Sequence, residues 1–219
     1  MKYRSVFDII GPIMIGPSSS HTAGVVRIGR LARELFGEEI QSALIHFYGS
    51  FSQTYKGHAT DVAIVGGLLG FDTDDKRIKN ALEHAQAAGV AIEFVSSSDA
   101  CEHPNTITMH LKNKHKSMKI TGVSLGGGTV SITAINGFHI NLSGENPSLL
   151  ISHQDAFGAI SAVSKIFADN EINIAHMEVS RSDKGGDALM IIESDQNIHP
   201  ELVQALCCAK HVKWVKLIE

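Results

Sequence analysis

Apolar residues recur along this chain with two different periods, and the change from one to the other divides it. Val25, Val26, Ile28, Leu31 and Leu35 are spaced as one face of a helix over 23–36, which Gly37 stops. The run Ala43-Leu44-Ile45-His46-Phe47-Tyr48 has strand composition. A polar loop over 49–61 then leads into a second helix carrying Val62, Ile64, Val65, Leu68 and Leu69, ended by Gly70. Within it Gly66 and Gly67 each weaken helix propensity by about 1 kcal/mol relative to alanine, which points to close packing against another backbone. A third helix is predicted over 75–88, stopped at Gly89, and a strand over 90–95.

From residue 103 the helical spacing gives way to short β-branched runs. Strands are predicted over 103–111, 117–125, 129–134 and 138–142, with Asn136-Gly137 as a type I′ hairpin signal. Gly144-Glu145-Asn146-Pro147 combines turn formers without an apolar residue and reads as a linker. Beyond it come a strand at Leu149-Leu150-Ile151, a helix over 159–168, a strand over 172–179 and a Gly-containing turn at 183–186. A strand over 188–192, a helix over 200–209 and a strand over 212–218 complete the chain. That order is βαββαβ, the split βαβ of ferredoxin-like folds. The expected class is therefore α+β, with a mixed α/β domain over 1–145 and a ferredoxin-like domain over 148–219. The second leaves a sheet face or edge available for pairing, so dimerisation is expected.

Composition narrows the function by exclusion. A 43% hydrophobic content and a formal net charge of −4 are ordinary for a globular protein and do not suggest a nucleic-acid binder. No run approaches the roughly 18 apolar residues of a membrane span, and no signal-peptide pattern opens the sequence, so a cytoplasmic protein without membrane partners is expected. Cys101, Cys207 and Cys208 lack C-x-x-C spacing, and the 12 histidines form no H-x-x-x-H pair. No metal ligands are assigned here, and metal chemistry would need ligands from another chain.

The candidate chemistry lies in the polar stretches. Gly16-Pro17-Ser18-Ser19-Ser20-His21-Thr22-Ala23-Gly24 runs straight into the first helix. A helix start offers unpaired N–H donors and partial positive charge, and Ser18, Ser19, Ser20 and Thr22 add hydroxyls, a setting for a carboxylate or phosphate. His21 beside it is suited to move a proton near neutral pH. The alternative is a capping role for Ser20 or Thr22, with His21 a surface residue. The 49–61 loop holds Lys56, His58 and Asp61. His103-Pro104-Asn105 and Ser124-Leu125-Gly126-Gly127-Gly128 are two further unusual stretches. Their plain readings are a capping pair, a solvated lysine, a turn and a β-bulge respectively.

Those four blocks, in that order, resemble the β chain of the iron–sulfur-dependent L-serine dehydratases, or L-serine ammonia-lyases. The C-terminal segment resembles an ACT domain, the regulatory module that commonly binds amino acids between two copies. Asp155-Ala156-Phe157-Gly158 carries that match, with Phe157 where proline is usual, together with Glu171-Ile172-Asn173-Ile174. The resemblance implies a lyase converting L-serine to pyruvate and ammonia. It implies a 4Fe-4S cluster ligated by a partner α chain, room for a monovalent cation, and self-association through the ACT domain. It also implies roles: His21 and His58 as catalytic base candidates, and Ser18, Ser19, Ser20, Thr22, Lys56 and Asn105 around the substrate. Asp155, Gly158, Asn173 and Ile174 fall at an ACT effector site. The N-terminal domain resembles as well the accessory effector-binding domain of some phosphoglycerate dehydrogenases. A non-catalytic subunit sensing an amino acid or anion is thus the rival expectation, which the histidine in the Ser-Ser-Ser-His-Thr block disfavours.

Overall fold

A computed structural model describes residues 11–218. The first ten residues of the expected 1–145 domain lie outside the described residues, as does Glu219 at the end of the expected 148–219 domain. The chain forms two compact units that adjoin in sequence at Asn136-Gly137. Asn136 (φ 50°) and Gly137 (φ 89°) have the paired positive φ of a type I′ turn.

The first unit contains helices α1 (Gly24–Phe36), α2 (Gly49–Thr54), α3 (Thr60–Leu68) and α4 (Ala81–Ala87). Its strands are β1 (Ser42–Phe47), β2 (Ala91–Ser96), β3 (Thr106–Lys112), β4 (Ser117–Gly126) and β5 (Thr129–Ile135), in sheet order β2-β1-β3-β4-β5. β1 and β2 run parallel and the other pairs antiparallel. Alternation sets the buried face: Ala43, Ile45 and Phe47 of β1 stand opposite Leu111, Met109 and Ile107 of β3, all within 1% of full burial. α1 packs on β4 and β5 through its apolar stripe and against α3 along its length.

The α1–α3 crossing is closed by glycine. A Cβ on Gly29 would lie 2.6 Å from the Ile64 carbonyl oxygen and 2.9 Å from Gly67 Cα; one on Gly67 would overlap the Val26 carbonyl oxygen. The two backbones are in direct contact there, the packing that the Gly66-Gly67 pair predicts. At Gly66 a Cβ meets a side chain instead, Ile78 Cγ1 at 3.1 Å.

Three segments depart from the sequence-based expectation. The 49–61 loop contains α2, a short helix with no apolar periodicity because it buries a single large side chain, Phe51. Gly49 is required at its start: φ is +53°, and a Cβ would sit 2.5 Å from the Pro104 carbonyl oxygen. The helix expected over 75–88 is a 3₁₀ turn (Lys76–Asn80) followed by α4, because Asp75 accepts from the Arg77 N–H and tightens the first turn. The polar run before α1 is already wound, as a π-helical turn over Ser19–Ala23.

The second unit comprises β6 (Phe138–Leu142), β7 (Ser148–Gln154), α5 (Ala159–Asp169), β8 (Ile174–Arg181), β9 (Asp187–Ser194), α6 (Pro200–Cys207) and β10 (Val212–Ile218). From β7 onward this is βαββαβ, with antiparallel sheet order β10-β7-β9-β8. Leu149, Ile151, Met190 and Ile192 on one sheet face pack with Val163 and Phe167 of α5 and Leu202 and Leu206 of α6. Among the described residues no helix is long and apolar enough to cross a membrane.

Candidate active site

His21 sits in the π-helical turn over Ser19–Ala23, which leads directly into α1. Ser18 caps that turn: extended at φ −142°, it accepts the His21 N–H at Oγ, 3.1 Å away. The imidazole is held at both ends. Nδ1 lies 3.0 Å from Ser20 Oγ and Nε2 lies 3.1 Å from Ser50 Oγ at the start of α2. The edge of Phe51 meets the ring at a centroid distance of 4.9 Å.

His58, just before α3, stands with its ring centroid also 4.9 Å from that of His21. Two buried threonines fix this pairing reciprocally. Thr22 Oγ1 donates to the His58 carbonyl at 3.0 Å, and Thr60 Oγ1 donates to the His21 carbonyl at 2.9 Å. His58 Nδ1 faces the Thr54 carbonyl at 3.3 Å; because a carbonyl can only accept, Nδ1 carries the proton in the neutral ring and Nε2 is left basic.

The other blocks reach this place through the backbone. Ser50 N–H donates to the Pro104 carbonyl at 2.7 Å, bringing the His103-Pro104-Asn105 turn beside α2. Asn105 Nδ2 donates to the Ser124 carbonyl at 3.4 Å, and the Ser124 N–H donates to the Asn105 carbonyl at 3.0 Å. Ser124 Oγ is buried with no hydrogen-bond partner among the described residues, directly beneath Gly24, where any Cβ would strike it. The structure thus brings Ser18, Ser20, His21, Thr22 and His58 together, with Asn105 adjoining. The N–H groups of Ser19 and Ser20, and the Ser19 hydroxyl, have no partner among the described residues. Lys56 stands apart, exposed, with its ammonium 5.9 Å from the Tyr55 ring centroid. Sequence reasoning missed Ser50, Thr60 and Ser124 as members; the Gly49-Ser50 step and the Ser-Gly-rich block were visible, but their partners lie 19 to 101 residues away.

Burial lowers the His21 pKa below its ordinary 6.5, and the neighbouring charge of His58 lowers it further. The neutral, basic ring is therefore the resting form at pH 7. Since the unfolded chain binds the proton more readily, His21 supports folding above about pH 6.5 and that contribution is lost as the pH falls through its lowered folded-state value. Titration of the histidine Cε1 proton by NMR is expected to place His21 below 6.5, and His58→Gln to raise it without restoring 6.5, because the burial remains. A midpoint at or above 6.5 in the native chain would overturn this.

In the second unit the expected effector residues lie at two opposite ends of the sheet. Asp155 follows β7; its Oδ2 accepts from the Gly185 N–H at 2.9 Å and from Arg181 at 3.0 Å, and these two contacts, the backbone one first, hold its carboxyl below the usual range. Gly158 (φ 85°) starts α5 beside it, and Phe157 between them is fully exposed. Asn173 and Ile174 lie at the far end, beside Ser194 and Gln196. The register of β7 on β9 separates the two ends by about 20 Å of strand. His153, 2% exposed, was not anticipated: it lies at the Asp155 end, and its Nε2 is buried without a partner among the described residues.

Fold and site together define a two-unit protein, a mixed α/β unit bearing a serine- and threonine-braced histidine pair and a ferredoxin-like unit of regulatory type. The serine dehydratase beta chain family matches residues 5–134, and the ACT domain family matches residues 148–207. The chain is 54% identical over 206 residues to the probable L-serine dehydratase, beta chain, of Bacillus subtilis, covering 94% of each. It is 34% identical to the L-serine dehydratase, beta chain, of Peptoniphilus asaccharolyticus, covering 100% of each. It is 29% identical to the D-3-phosphoglycerate dehydrogenase of Bacillus subtilis over 88% of this chain and 37% of that enzyme. The chain belongs to the serine dehydratase beta chain family.

Proposed function

We propose that this chain is the β subunit of an L-serine dehydratase, a cytoplasmic lyase that makes pyruvate and ammonia from L-serine together with an α chain. The observation that carries the reading is the His21 ring, set between two serine hydroxyls and beside His58. In this reading the N–H groups of Ser19 and Ser20, with the serine hydroxyls, hold the substrate carboxylate at the positive end of the turn. His21 Nε2 gives up its contact with Ser50 and takes the Cα proton. The Cα–H electron pair forms the Cα=Cβ bond as the Cβ–O bond breaks. The hydroxide leaving on the partner's side is released as water once protonated, the proton on His21 balancing it. The aminoacrylate so formed tautomerises to the imine, and water releases ammonia and pyruvate. Thr22 and Thr60 keep the two histidines in register, and Asn105 borders the substrate. Lys56, on the exposed loop, is assigned to the rim.

The described residues do not fit a 4Fe-4S cluster as its holders. No group of three histidine, cysteine or acidic residues converges among them, and Cys207 and Cys208 are exposed at the end of α6. The cluster is therefore assigned to the α chain, and a monovalent cation remains part of the proposal without a site in this chain. Self-association through the ACT unit remains part of the proposal, and the separation of the two ends supports it if the four expected effector residues serve one ligand. One chain cannot bring Asp155 and Gly158 to Asn173 and Ile174, but two antiparallel copies can.

Purified alone without oxygen, the chain is expected to carry no iron, to sediment as a dimer and to lack activity; co-expression with the α chain is expected to give serine-dependent pyruvate. Stoichiometric cluster iron in the chain alone would refute the subunit assignment, and a monomer at high micromolar concentration would refute ACT pairing. The phosphoglycerate dehydrogenase match supports a second reading, in which both units only sense an effector. An effector site has no need of a base, and substitution at His21 separates the two.

A further inference from the structure

At pH 7 the His21 ring carries a single hydrogen, and both of its ring partners are hydroxyls, which can either give one or take one. His58 differs, since a carbonyl fixes its tautomer. For His21 the deciding neighbour lies one step further out. Ser20 Oγ, 3.0 Å from Nδ1, is also 3.4 Å from Ser18 Oγ, and Ser18 Oγ accepts the His21 N–H at 3.1 Å. Ser18, Ser20, His21 and Ser50 therefore form one chain that passes through both ring nitrogens.

Hydrogens can run along this chain in two directions. In the first, Nδ1 donates to Ser20, Ser20 donates to Ser18, and Ser50 donates to Nε2. In the second, Ser18 donates to Ser20, Ser20 donates to Nδ1, and Nε2 donates to Ser50, which blocks Nε2 as a base. Both satisfy the same contacts, so their number does not choose between them. The surroundings of Ser18 do. It heads the turn that runs into α1, where the field of the helix points outward and turns hydroxyl hydrogens the same way. A substrate carboxylate beside Ser18 can only accept, so it draws the Ser18 hydrogen outward as well. Both influences select the first direction. Ser50 is the end that yields to substrate. Its N–H is tied to the Pro104 carbonyl at 2.7 Å and its carbonyl accepts from Thr54 Oγ1 at 2.8 Å, so only its hydroxyl turns.

We propose that Ser20 is a positioning residue, which with Ser18 forms a hydroxyl relay that keeps the His21 hydrogen on Nδ1 and leaves Nε2 as the base. The proposal rests on His21 acting as the base. It reassigns the Ser20 hydroxyl from the substrate to the ring, and leaves the hydroxyls of Ser18 and Ser19 for the carboxylate. It also couples substrate to base, because a carboxylate at Ser18 reinforces the reactive tautomer through two hydroxyls.

Nitrogen-15 NMR of the full chain, labelled at histidine and held above the titration of His21, reads the tautomer without turnover. The His21 signals, identified by their loss in His21→Gln, are expected to show a hydrogen on Nδ1 and none on Nε2. In Ser20→Ala, Nδ1 loses its acceptor while Ser50 remains, so the hydrogen is expected to move to Nε2. In the enzyme assembled with the α chain, Ser20→Ala is expected to lower kcat about tenfold with KM within about twofold, since only rings with a basic Nε2 turn over. Ser20→Thr, which keeps the hydroxyl, should restore both the tautomer and kcat. A native ring protonated at Nε2 would overturn the relay. So would Ser20→Ala with an unchanged tautomer, or with a raised KM and native kcat, the mark of a direct substrate contact. Native turnover in His21→Ala would instead remove the base on which the relay rests, whatever the tautomer.

Discussion

His21→Ala is expected to lower the kcat of the assembled enzyme by about 10²- to 10⁴-fold, the usual cost of removing a general base. Assembly with the α chain and the cluster content should be unchanged. The side chain is only partly buried and its ring partners are hydroxyls, which water can satisfy once the ring is gone. A purely structural role would have a different signature: a loss of at most about 1 kcal/mol in stability, as for a helix cap, with kcat nearly intact. His58→Ala is the necessary companion, because His58 Nε2 is also left basic by the Thr54 contact. Should His21→Ala retain near-native turnover while His58→Ala does not, the base is His58. Activity in both variants would sink the catalytic reading and leave the effector-sensing one.

Much of this architecture was legible because local rules and tertiary packing agree. The stripe from Val25 to Leu35 is the buried stripe of α1, and Gly37 ends it in the left-handed conformation with its N–H on the Arg33 carbonyl. The βαββαβ order was readable because each of its elements has a clean period and a turn between neighbours. The illegible parts are those without a period. α2 buries only Phe51, and its winding depends on Pro104, more than fifty residues away, so nothing local announces a helix. The π-helical turn was invisible for a related reason: Ser, Ser, His and Thr have no preference for it, and cross-links from Ser50 and Thr60 sustain it. At the site, His21 and His58 were nominated by their setting in polar runs at helix starts. Their contact is a tertiary fact, set by where α1 and α3 cross.

That crossing yields the second large effect. Gly67→Ala is expected to destabilise the chain by about 3 kcal/mol, a substantial part of the roughly 5–15 kcal/mol that holds a domain together. The new methyl would overlap the Val26 carbonyl oxygen and stand 2.9 Å from Gly29 Cα and 3.0 Å from the Arg30 nitrogen. All three are helix backbone, so no rotamer change relieves the clash and the helices must separate. Gly66→Ala, one residue earlier, is the control. Its methyl meets the Ile78 side chain at 3.1 Å, which can yield, and alanine regains about 1 kcal/mol of helix propensity, so the net change should be near zero. Urea unfolding checks both, with a lower midpoint expected for Gly67→Ala alone. The consequence reaches the site, because α1 continues directly from the turn holding His21 and α3 directly follows the loop holding His58. Forcing the helices apart lengthens the Thr22–His58 and Thr60–His21 contacts together. Activity in folded Gly67→Ala should therefore fall with both histidines in place, and a variant that keeps native stability and native turnover would show that the glycine crossing does not set the histidine pair.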